Sequence, residues 1–129
     1  MKQLIIAIIL LLLIACSSTR PLTAGGIRPE ERKFFIVQNG WGMPQAMKDC
    51  FLSGKPMLGM KQEHIFMLFG SANQTLINED EDTEIWKYFT VKENNLIVLL
   101  EVIFNKNNLE ALEISGTQAN ECKVNEQSL

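Results

Sequence analysis

The chain has 129 residues, 47% of them hydrophobic and 21% charged, and its 12 basic and 15 acidic residues leave a net charge of −3. That length suits one modest domain and not an assembly of several. The near balance of charge, with no concentrated basic face, argues against nucleic acid as a partner.

In chain order, the first element is an uninterrupted run of Leu, Ile and Ala from Leu4 to Ile14, preceded by Lys2. This is the charged start and apolar core of a secretory signal. It is too short to span a bilayer, which takes about 20 residues as a helix. The run closes on Leu13, Ile14, Ala15 and Cys16. That ending resembles the lipobox of bacterial lipoproteins, in which the cysteine is lipidated and the chain is cut before it. The resemblance implies a signal peptide over 1–15, a lipid on Cys16 and anchoring to a membrane. Several acyl chains on one cysteine give stable anchoring where a single chain gives marginal binding. Ser17, not Asp, follows Cys16, and by analogy with enterobacterial sorting this implies the outer membrane, facing the periplasm.

Residues 16–33 hold two prolines and two glycines without apolar periodicity, and read as a flexible tether. The domain is expected over 34–115. Phe34 to Val37 is short and β-prone, and suits an extended segment on a sheet or a staple of the tether. Trp41 stands just ahead of the first helix as a cap on the core.

The first helix is predicted from Pro44 to Ser53. Met43, Ala46, Met47, Cys50 and Phe51 recur at three- and four-residue steps, and Gly54 follows. A second is predicted from Lys61 to Phe69, inside the stretch GMKQEHIFMLFG, with Met60, Ile65, Leu68 and Phe69 inward and His64 outward. Ser71 to Glu84 is polar and reads as a loop. Its run Glu79, Asp80, Glu81 and Asp82, with Glu84, lacks the glycine and alternating spacing of a calcium loop, so a solvated loop is expected.

The last third is β in character: Ile85 to Val91, Leu96 to Phe104 and Leu109 to Ile114, joined by the turn-rich KENN and NKNN. Leu96 to Leu100 is apolar enough to be buried on both faces or to form a docking surface. Trp86 and Tyr88 are expected in the core. Residues 116–129 form a patternless tail, with Cys122 as its one means of attachment. With Cys16 given to lipid, Cys50 and Cys122 remain as one pair in a compartment where disulfides persist. A bridge between them would stabilise by at most roughly 4 kcal/mol in the chain-entropy model.

The expected fold is thus α+β, two N-terminal helices on a three-stranded antiparallel meander. Gly59 and Met60, the helix closing on Gly70, the pair Trp86 and Tyr88, and Phe104 with Asn105 occur in the order seen in the SmpA/OmlA (BamE-like) family of small outer-membrane lipoproteins, which the chain resembles over Gly40 to Ile114. Lys61 departs from that pattern where a threonine cap is usual, and Ala72 where proline is. The resemblance implies a protein-binding accessory module of the envelope, with the barrel-assembly complex as a partner. An inhibitor lipoprotein masking a β-lactamase or lysozyme is the alternative. No catalytic set, cofactor site or metal site is expected, because one histidine and one acidic loop assemble neither a nucleophile with its base nor a ligand cage.

Overall fold

Proline at the head of a helix and glycine past its end set out most of the helical layer. In the computed structural model, which describes residues 21–123, a 3-10 turn (Leu22–Gly25) leads into α1 (Pro29–Asn39), α2 (Gln45–Leu52) and α3 (Gln62–Phe69). Strands β1 (Gln74–Asn78), β2 (Thr83–Lys92), β3 (Asn95–Asn105) and β4 (Ala111–Ser115) follow as a fully antiparallel meander in the order β1-β2-β3-β4. The class is α+β, with three helices where two were expected and four strands where three were. The expected signal peptide at 1–15, the expected lipid site Cys16 and Ser17 lie outside the described residues, as does the end of the tail.

The added helix corrects the reading of Phe34 to Val37 as extended. Pro29 starts α1, Glu30 and Glu31 fill its first turn, and the Arg28 backbone N–H donates to Glu31 Oε1. Acidic side chains there complement the helix dipole, and the combined signal overrides the local β preference of Ile36 and Val37. The expected tether is folded from Leu22 onward. Leu22 and Ile27 pack on the core, and Ile27 N–H donates to the Met67 carbonyl at 2.8 Å.

The core lies between the helices and one face of the sheet. Phe51, Met60, Ile65, Leu100, Val102 and Phe104 are fully buried. Each large apolar side chain so placed contributes about 1.5–3 kcal/mol relative to exposure. Phe69 meets Tyr88 edge-on at 6.0 Å, and Trp86 meets Phe104 at 4.9 Å. Tyr88 O–H donates to the Gly70 carbonyl at 2.7 Å, which ties β2 to the end of α3. Gly70 has φ 80, and a Cβ there would collide with the Gly25 carbonyl, so only glycine serves this exit.

Register separates the two sheet faces. Trp86 opposes Val102 and Val102 opposes Ile114, all toward the helices. Because side chains alternate, the neighbouring rows face away: Leu76, Ile85 and Ile103 form one, Lys87 and Glu101 the next, and Phe89 with Val98 a third beyond a bulge.

The polar stretch expected as a loop contains β1, and its acidic run Glu79–Asp82 is the tip of the β1–β2 hairpin. The tail is attached more firmly than its composition suggests. Thr117 and Gln118 N–H groups donate to the Val98 and Leu99 carbonyls, prolonging the ladder past the end of β4, and Cys122 N–H donates to the Pro56 carbonyl. Cys50 and Cys122 are bonded, with Cα atoms 5.9 Å apart.

Candidate protein-binding site

Trp41 stands between Gly40 and Gly42 in the short link from α1 to α2, and it is fully exposed. Gly42 has φ 86, so the link turns through a conformation that glycine adopts without strain. The expectation that Trp41 caps the core is therefore corrected. The link buries Gly40 against Ile36 and sends the indole outward.

Below the indole is a cleft of about 520 Å³, with Met43, Met47 and Phe35 in its lining and Asn39, Lys61, Glu63, His64 and Glu110 as its polar members. A second cleft, of about 350 Å³, runs between α1 and α3 and is lined by Phe34, Gln38 and Met67 among others. Phe35 and Asn39 belong to both, so the two clefts meet along α1. Phe34 is 63% exposed, and Phe66 on α3 is also open to solvent. Aromatic and thioether surface with a polar margin suits an apolar side chain of another protein.

His64 was expected on the outer side of its helix, and the structure corrects this. It is buried, edge-on to Phe35 and Phe51, with ring centroids 6.0 Å from each. Its Nδ1 accepts the Lys61 backbone N–H at 3.1 Å. His64 thus plays the part usually taken by Glu or Gln at the third position of a helix. The reciprocal bond, from the helix N–H groups to a cap side chain, is absent at Lys61. Accepting at Nδ1 fixes the neutral ring with its proton on Nε2. A metal at Nε2 would need the opposite tautomer and would break the cap. Burial pushes the His64 pKa below its ordinary value, a shift that Glu63 opposes and Lys61 reinforces. The cleft lining also holds no Ser, Thr or Cys to act as a nucleophile beside the ring.

The other residues singled out by the sequence lie apart from one another. Cys50 and Cys122 join α2 to the tail, Trp86 and Tyr88 pack inward, and of Leu96 to Leu100 only Leu100 is buried. Among the described residues, no group of three or more His, Cys, Asp or Glu is placed to hold a metal ion, and no helix is long and apolar enough to cross a membrane. What sequence reasoning missed is the exposed Trp41. Its flanking glycines were visible as a turn signal, but a turn does not say which way its central ring points.

Compared with known proteins, the chain matches no family model, no curated protein and no solved structure.

Proposed function

We propose that this chain is a lipid-anchored envelope lipoprotein whose domain binds other proteins, with outer-membrane barrel assembly or envelope integrity as the process it serves. The observation that carries the binding reading is Trp41, a fully exposed tryptophan at the mouth of a cleft in which Phe35, Met43 and Met47 stand beside charged side chains. Tryptophan is the side chain most often found as an energetic anchor in protein interfaces, where truncation costs about 2 kcal/mol or more at a hot spot. The lipobox ending at Cys16 supports the anchor and the compartment. The SmpA/OmlA-like order of Gly59, Gly70, Trp86, Tyr88 and Phe104 supports the process, and the fourth strand and α1 depart from the layout which that resemblance implies.

The test is a photo-crosslinking residue at position 41, introduced into the full chain in the cells that make it, with the exposed turn position 107 as control. The expected result is an adduct with an envelope protein in the membrane fraction, and loss of the chain from that fraction in Cys16→Ser. An adduct with barrel-assembly subunits supports the assembly role, whereas an adduct with a soluble hydrolase supports the inhibitor alternative. Equal labelling from positions 41 and 107 would overturn the binding reading, and unchanged membrane retention of Cys16→Ser would overturn the anchor.

A further inference from the structure

We infer that the outer face of the sheet is a self-docking surface, on which a second copy of this chain seats with Lys87 of each copy against Glu101 of the other. This surface is the boundary opposite the helical layer, so the inference stands apart from the reading of Trp41.

The outer face is apolar at both ends and charged across its middle. Ile85 and Ile103 face one another on β2 and β3, with Leu76 beside them on β1. Past the bulge come Phe89 opposite Val98, then Val91 opposite Leu96. Leu76, Val91 and Leu96 are 40%, 65% and 60% exposed. Ile85, Phe89, Val98 and Ile103 are only half-buried and do not belong to the core, because all three helices pack on the other side. Apolar rows left open on both sides of a charged one suit a contact site.

The charged middle row selects the occupant. Lys87 and Glu101 are direct cross-strand partners, yet neither side chain makes an ion pair or hydrogen bond among the described residues; the ion pair found there joins Arg28 and Glu31. Consider a two-fold axis parallel to the strands, midway between β2 and β3. It lays β2 of one copy over β3 of the other. Lys87 then meets Glu101 twice, Ile85 meets Ile103, and Phe89 meets Val98. On the flanking strands Gln74 meets Ser115, a polar pair, while Leu76 meets Glu113 at the rim, where the carboxylate reaches solvent and adds nothing to the contact. A surface complementary to itself under a two-fold is the requirement for an isologous dimer. Two sheets packed face to face at about 10 Å, within about 30° of alignment, keep the central row in register because it lies nearest the axis.

The experiment uses the purified full chain in detergent over a concentration series, with dimer formation followed by energy transfer between labelled copies. Lys87→Glu and Glu101→Lys each set like charges against one another in a self-pair, and each is expected to weaken association by about tenfold or more. Mixed one to one, the two variants restore both opposite-charge contacts and should associate as the unaltered chain does, as should the double variant carrying both changes. Recovery on mixing also shows that each variant is folded. Unchanged association of either single variant would overturn the inference, since micelle crowding alone has no such pattern. So would a monomer throughout the series, including the case in which a probe at Ile103 captures a different protein. Labelling from position 41 is expected to persist in both charge variants, so the Trp41 reading and this one fail separately.

Discussion

His64 shows how far the role of a residue depends on one hydrogen bond. Its ring caps α3 only while Nδ1 is unprotonated. In the unfolded chain the ring takes a proton near pH 6.5, and in the fold it does so at a lower pH because of burial. The stability that the neutral ring contributes is therefore complete above about pH 6.5 and is withdrawn as pH falls through the folded value. The thermal midpoint, measured by calorimetry, is expected to fall between about pH 7 and pH 5, and to fall less in His64→Gln, which keeps an acceptor at the capping position. An equal fall in both would assign the effect to carboxylates instead. The burial of His64 is legible in the chain, since it stands four residues after Met60 and four before Leu68, on the very stripe that the hydrophobic residues define. The polarity of the ring argues the other way, and position outweighs it.

Among the elements, the β2–β3 hairpin has the clearest local conflict. Its two loop residues, Glu93 and Asn94, have φ 52 and φ 63, the pattern of a tight turn with both central residues left-handed. Asparagine tolerates this and glutamate does not, at a cost of roughly 1–2 kcal/mol for an ordinary side chain. Replacing the pair by Asn-Gly is expected to raise unfolding stability by about 1 kcal/mol, read from the urea midpoint. No change in the midpoint would show that the neighbouring strands already absorb the strain. The hairpin and both core helices were legible because their signals are local: turn residues, apolar steps, a glycine stop. β1 was not, since Gln74 to Ile77 are all exposed and the strand is held by backbone ladder bonds to β2, which leave no trace in hydropathy. α1 was missed for the opposite reason. It buries Phe35 and leaves Phe34 and Val37 outside, so its apolar residues mark two surfaces at once and show no helical stripe. The same feature places exposed aromatic surface on the candidate site.

For the whole molecule, the bond between Cys50 and Cys122 closes a loop of 72 residues that contains α3 and the entire sheet. Restricting the unfolded chain in this way is typically worth roughly 2–4 kcal/mol. The double variant Cys50→Ser with Cys122→Ser is expected to lose about that much in urea unfolding, and a reductant should lower the unaltered chain to the same midpoint. If the reductant lowers the double variant as well, the loss has another source. At this scale the molecule is two layers with two different outer surfaces: aromatic clefts on the helices, and a striped apolar and charged face on the sheet.

The same bond also decides how the domain carries mechanical load. A pull applied between residue 21 and residue 123 travels through α1 and α2 to Cys50, crosses the covalent bridge to Cys122 and leaves by the tail. Residues 51–121 hang from that path as a closed ring and bear none of the steady tension. Drawing on the two ends would strain the first two helices directly and reach the four strands only through the shared core, so the segment that presents Trp41 takes the force first.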